Sequence, residues 1–346
     1  MVWYCTREDV REALDSKESA YNNKAVDRVI ETASRTVEQW LNRIFYPTIA
    51  TKYFDFPSHK YSRSYRLWFD EPAELISATS VVSGGITIDP SAYYTEPVNV
   101  GPPYNRIEIN LASTSAFNAT STYQRQTVIQ GLWGYREDLQ VVTTLAEDLD
   151  TTETGIDINN SGLIGVGDTI KVGSEYMVVT DKSMLDTAQN TSALALSKSA
   201  VSITGLTPGA LNVGEIILID SERMLIVDAA GSTVTVERAV DGSVLAAHAL
   251  NADIYALRTL TVSRGSLGTT AASHLTAASV SVLVIPSPVR ELTLAEAVNN
   301  LLQSRSGYAR VVGSGDNQRE SYGKGLSDLR QRVENTYGRK TRKLAV

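Results

Sequence analysis

Gly131-Leu132-Trp133-Gly134-Tyr135-Arg136 decides the reading of this chain once it is set beside Val284-Ile285-Pro286-Ser287-Pro288-Val289. The first stretch ends a β-branched, apolar run in an aromatic turn. The second opens a helix: proline suits the first helical positions, and Ser287 is placed to cap it. Between them lies a long segment of different composition. Removing it joins the aromatic turn almost directly to the helix start. The spacing therefore predicts a host domain interrupted at one loop by an inserted one.

With 346 residues, two or three domains are expected. The chain is 42% hydrophobic and 21% charged, as ordinary globular proteins are, and its formal charge of −7 argues against a surface that coats nucleic acid. The one cysteine, Cys5, excludes an intrachain disulfide and fits a reducing compartment. The start, MVWYCTREDV, lacks a basic and then apolar leader, and no apolar run is long enough to span a bilayer. Assembly in a cytoplasm, with no membrane partner, is the expectation.

Working outward from the joint, Thr6 and Asp9 have capping-box spacing and predict a short helix to about Leu14. Val26, Val29, Ile30, Ala33, Val37, Leu41 and Ile44 recur at three- and four-residue steps, which predicts an amphipathic helix over 24–44, stopped by Pro47. Over 52–135 the pattern changes to short β-branched and aromatic runs. Gly84-Gly85 marks a hairpin between two of them. After Pro286, the stripe Val289, Leu292, Ala295, Val298, Leu301 and Leu302 predicts another helix. A Gly-rich polar loop over 313–325 and a last helix with a basic tail follow.

The segment 141–285 repeats itself. Residues 167–181 (GDTIKVGSEYMVVTD) align without a gap on 214–228 (GEIILIDSERMLIVD). Residues 260–274 align likewise on 234–248. The order is first half, first half, second half, second half. One unit is therefore whole, at about 199–257. The other is split, at about 151–181 and 258–284. The simplest account nests one β unit in a loop of the other. The fold expected is α+β: a helical core (1–140 and 286–346) with a small antiparallel sheet, carrying an inserted all-β domain of two nested units.

Candidate chemistry is sparse. Metalloprotease, phosphate-loop, nucleophile-elbow and Cys-x-x-Cys motifs are all missing. His248 and His274 hold equivalent repeat positions, as do Glu175 and Glu222, and Arg238 and Arg264. A carboxylate pair for acid–base work needs both groups at one site. Here each unit supplies its own set, so an internal Glu–Arg pairing, with each histidine bonded to a turn of its unit, is the reading preferred over catalysis or metal binding. No cofactor is expected. The tail Arg339-Lys340-Thr341-Arg342-Lys343 reads either as an anion-binding arm or as a solvated terminus.

Tyr4-Cys5-Thr6-Arg7-Glu8-Asp9-Val10, the helix end Leu41-Asn42-Arg43-Ile44-Phe45, the close Gly131-x-x-Gly134-Tyr135, and Pro286-x-x-Val289 with its Ala/Leu-rich helix follow one another in an order that resembles the head–tail connector (adaptor) proteins of tailed bacteriophages. The resemblance covers about 1–140 and 286–346. Arg264-Gly265-Ser266-Leu267-Gly268-Thr269, running on to His274, resembles a separate module of phage virion proteins. The inner copy departs from that module with Ala239 and Ser243.

The resemblance implies a structural, non-enzymatic virion protein at the head–tail neck. It would form a homo-oligomeric ring, commonly of about twelve copies, under the portal. Such a ring prolongs the channel through which duplex DNA passes without sequence-specific binding, and it docks a stopper or tail-completion protein. The candidate portal-binding arm is 326–346, with Leu326, Leu329, Arg330, Val333, Tyr337, Arg339, Lys340, Arg342 and Lys343. The inserted domain is expected to face outward, toward the capsid. Two other classes compete: a tail or baseplate component whose β domain holds a receptor or carbohydrate, and an enzyme with a β-rich accessory domain. Few aromatics in 151–284 weigh against the former, and few histidines against the latter.

Overall fold

The structure is a computed structural model describing residues 1–14, 22–57, 63–69, 72–305, 311–312, 319–320 and 324–339. The first helices are α1 (Arg7–Ala13) and α2 (Asn23–Leu41). Seven strands follow: β1 (Thr48–Phe54), β2 (Arg66–Trp68), β3 (Leu75–Ser83), β4 (Ile86–Ile88), β5 (Tyr93–Glu96), β6 (Arg106–Ile109) and β7 (Thr127–Trp133). The middle of the chain holds β8 (Leu139–Thr144), β9 (Gly155–Asp157), β10 (Thr169–Val172), β11 (Glu175–Asn190), β12 (Ser202–Thr204), β13 (Ile216–Ile219), β14 (Glu222–Ala230), β15 (Thr233–Arg238), β16 (Asp253–Ser266) and β17 (Ser279–Leu283). Last come α3 (Ser287–Arg305), the two-residue pair β18 (Val311–Val312) and β19 (Arg319–Glu320), and α4 (Lys324–Tyr337). Most of the predicted polar loop lies outside the described residues.

The expectation of a helical core with an accessory sheet is corrected. Strands take 37% of the chain against 21% for helices, and the largest assembly is a ten-stranded antiparallel sheet. The chain divides into two compact units, Met1–Ser34 with Leu139–Ser327, and Arg35–Asp138 with Asp328–Val346.

In the second unit, β1-β7-β3-β4 and β2-β6-β5 form two sheets. Their inward residues, among them Phe54, Leu67, Leu75, Ile107, Ile129 and Trp133, close a core to which no α-helix among the described residues contributes. Strands buried on one face pack readily on one another, so 52–135 makes a core of its own instead of leaning on helices. The Gly84-Gly85 hairpin forms as predicted, with positive φ at both residues. The helix predicted over 24–44 ends earlier, at Leu41. Asn42 adopts the left-handed conformation (φ 47°), and the Arg43 amide turns back to the Glu38 carbonyl.

In the first unit, the α1 capping box is complete, with Asp9 N–H donating to the Thr6 hydroxyl and Thr6 N–H to the Asp9 carboxylate. Val10, Val26, Ile30, Ala33, Ala297 and Leu301 bring α1, α2 and α3 into one small cluster. The N-terminal segment lies on the glycine-rich loop before β10. The Arg7 amide donates to the Val166 carbonyl, the Val166 amide donates to the Glu8 carboxylate, and Gly167 (φ 104°) leaves room for the Trp3 ring.

The ten-stranded sheet holds two separate cores. Ile156, Ile170, Met177 and Leu260 center the outer one, and Ile203, Ile217, Met224 and Val236 the inner one. Strands β11 and β16 are long enough to serve both. The first half of β11 pairs with the second half of β16 in the outer unit, and the remaining halves pair in the inner unit. The inner unit thus enters between Asp181 and Leu260. In the inner unit itself, the equivalent positions, Asp228 and Val234, are joined by a short exposed turn through Gly231. Exposed turns tolerate inserted domains, and added loop length costs little, so a small folded domain inserted after Gly231 should shift stability by about 1 kcal/mol or less. Thermal unfolding measures this; a loss of cooperative folding would contradict the equivalence.

Candidate functional site

Equivalent turns deliver the repeated carboxylates. Gly173 (φ 56°) and Asp220 (φ 51°) both take the left-handed conformation, which starts β11 and β14 in register and points Glu175 and Glu222 inward. Glu222 receives Arg238 Nε at 2.7 Å and Nη2 at 2.8 Å, the Ala239 amide at 3.0 Å, the Ala246 amide at 2.8 Å, and His248 Nε2 at 2.9 Å. Glu175 has the same five partners in the outer unit: Arg264 Nε and Nη2 at 2.8 Å each, Gly265 N at 2.9 Å, and Ala272 N and His274 Nε2 at 3.0 Å. The remaining guanidinium donors hold loop carbonyls: Ala195, Ala200 and Ala246 in one unit, Asp150, Glu153 and Ala272 in the other. Ala239, where the repeat departs from glycine, still takes the left-handed conformation (φ 58°) that Gly265 takes (φ 59°).

The structure thus brings Glu175, Arg264 and His274 together, and separately Glu222, Arg238 and His248. The two clusters do not converge. His248 Nδ1 gains a further carboxylate, Asp220, at 2.7 Å. His274 lacks one, because glycine stands at the position equivalent to Asp220.

Burial alone would raise both carboxyl pKa values. The arginine, the two amides and the histidine outweigh it and hold each at about 2. A carboxylate saturated in this way has no free lone pair for a proton in transit, so the arrangement staples loops together and is not built for acid–base work.

A third staple was missed from the sequence. Arg258 donates to Glu215 at 2.7 and 2.6 Å, and the Ser161 and Asn212 amides complete the site. Glu215 aligns with Asp168 in the repeat, which marked it, but Arg258 lies just outside the aligned halves. Asp168 has no such arginine. Burial pushes its carboxyl up to about 6, opposed by the Gly165 amide and Arg290.

These shifts set opposite pH windows. Asp168 is raised from 3.8, so its penalty is relieved as pH falls through 6, and the unit should gain about 1 kcal/mol between pH 7 and 5. Glu175 and Glu222 are lowered from 4.5, so their stabilization is present above that value, and each should lose about 2 kcal/mol by pH 3. Urea unfolding against pH should therefore peak near pH 5; a monotonic fall from pH 7 would contradict the assignment.

The second cluster lies in the other unit and gathers two of the resemblance motifs, those ending α2 and β7. Because Asn42 ends α2, Arg43 turns onto Glu74, with Nε at 2.9 Å and Nη2 at 3.0 Å. Its Nη1 donates to the Tyr337 carbonyl at 2.8 Å, and the guanidinium stacks 4.8 Å from the Tyr135 ring center. Phe45, Tyr135 and Tyr337 form an aromatic triad with centroids 5.3–6.2 Å apart. The Tyr135 amide donates to the Ile44 carbonyl, the Gly134 amide to the Glu74 carbonyl, and the Arg339 amide to the Leu41 carbonyl.

Of the candidate arm residues, Tyr337 and Arg339 join this cluster. Arg330 lies over Trp40 at 4.0 Å, Leu329 and Val333 are buried, and Leu326 is half-buried. Lys340, Arg342 and Lys343 lie outside the described residues. Glu74, the acceptor that ties the cluster together, carried no sequence signal. No protein-family model matches the chain, and neither a curated protein nor a solved structure matches it.

Proposed function

We propose that the chain is a structural, non-catalytic component of the head–tail neck of a tailed bacteriophage. It assembles as a ring of about twelve copies under the portal, extends the DNA channel and receives the next stopper or tail-completion protein. The observation carrying this reading is that two of the four resemblance motifs meet the candidate C-terminal arm at one cluster. Leu-Asn-Arg-Ile-Phe, Gly-Leu-Trp-Gly-Tyr and the root of the basic C-terminal segment meet around Arg43 and Tyr135.

The saturated Glu175 and Glu222 staples support a scaffold over an enzyme. The net charge of −7 suits a channel along which DNA slides without being held. The basic segment after Tyr337, including Lys340, Arg342 and Lys343, is the arm that engages the portal, and the β units face the capsid. Co-sedimentation with the portal tests this. The full chain should bind, and a chain ending at Arg339 should bind at least tenfold more weakly with unchanged thermal stability. Equal binding by the shortened chain would remove the arm from the account, and failure of the full chain to bind would remove the portal.

A further inference from the structure

The two β units share a backbone and a staple, so a difference between their tips is not imposed by the fold. In both, the arginine holds three loop carbonyls and the histidine backbone pairs with a leucine, Leu149 with His274 and Leu194 with His248. The outer tip presents the exposed residues Asp148, Asp150 and Glu153 and one exposed leucine, Leu275 (75% exposed). Asp148 sits beside that leucine, accepting from the Thr276 amide.

The inner tip lacks those three carboxylates, its exposed carboxylate being Asp220 on His248. Alanines 193, 195 and 200 stand where the three carboxylates stand in the outer unit. The connection between the two arginine-held carbonyls is longer, running Ala195 to Ala200 against Asp150 to Glu153, and it adds Leu196 (67% exposed) and Lys198. On the facing loop, Val244 (77%) and Leu250 (66%) replace Thr270 and Thr276. Three exposed apolar side chains, two where the sister unit has threonine and one in the added length, mark a surface meant to be covered.

We propose that the inner tip of one copy seats on the outer tip of the next copy of this chain. This rests on the ring reading above. Charge complementarity selects the occupant. Lys198, on the loop that carries Leu196, meets the three carboxylates, while Leu275 enters the apolar surface. Joining two different patches makes a heterologous contact, the kind that closes into rings when its rotation allows.

The test uses the full chain with its portal. Leu196→Cys combined with Leu275→Cys should give an oxidation-dependent ladder of linked copies, and neither single variant should; Cys5 is buried and leaves the background low. Val244→Asp should reduce ring formation at least tenfold while leaving the thermal unfolding of the free chain unchanged, because Val244 is exposed there. Rings formed at the wild-type level by Val244→Asp, with no ladder from the double cysteine, would overturn this contact and leave the ring reading standing. Absence of rings from the wild-type chain would remove the ring reading, and the contact with it.

Discussion

Glu222→Gln is expected to destabilize the inner β unit by about 3–5 kcal/mol, the cost of breaking a buried, hydrogen-bonded ion pair. The change is nearly isosteric, so packing is conserved. It removes the negative charge facing Arg238, and it places an NH2 group where only donors point: the Ala246 amide and His248 on one oxygen, the Ala239 amide on the other. One donor pair is left facing another, and the guanidinium beneath is buried without its counterion. Arg238 also holds the carbonyls of Ala195, Ala200 and Ala246, so the tip loops should loosen with it. Chemical denaturation measures the loss, and amide exchange should show it concentrated in 195–200 and 239–248. A change under 1 kcal/mol would mean that Glu222 is not the hub of the staple. Glu175→Gln should act alike in the outer unit.

Gly134→Ala carries the second large expectation, about 3–5 kcal/mol from backbone strain and overpacking combined. Gly134 has φ 143°, where an L side chain is strained, and a Cβ there would overlap the Tyr46 carbonyl oxygen and approach Pro47. Both obstacles are backbone, so no rotamer relieves them. The strand β7 would have to part from the segment after α2, which separates Tyr135 from Ile44 and Phe45 and loosens the seat of Tyr337. Thermal unfolding should fall by many degrees, and under the proposed function portal binding should weaken with it. Gly85→Ala is the control: its φ of 80° is also positive, but nothing lies within 4 Å of its missing Cβ, so the loss there should be limited to the turn.

The sequence made the repeated staples legible because identity at equivalent positions reports a shared geometric demand. Glu175 aligns with Glu222, Arg264 with Arg238 and His274 with His248, and the Glu, Arg and His of each unit meet within that unit. The capping box of Thr6 and Asp9 was legible for a similar reason, since its chemistry is local.

What failed was nonlocal. The runs over 52–135 have strand pattern, but pattern does not say whether strands pack on helices or on one another. They pack on one another, and that moved the protein from a helical core to a largely β architecture. Asn42 cut α2 short although the apolar period runs on to Ile44, because a single left-handed residue outweighs periodicity. Glu74 and Arg258 were invisible because each finds its partner far along the chain. The tail residues Lys340, Arg342 and Lys343 rest on sequence alone.

Electron microscopy of the purified chain, alone and mixed with the portal, decides between a neck ring and the other readings. The proposed function predicts a ring seated on the portal, its central hole wide enough to pass duplex DNA and its β units outward, whether the ring forms in isolation or only on docking. A compact particle that never joins the portal would contradict it and would bring forward the tail-component and receptor-binding reading instead.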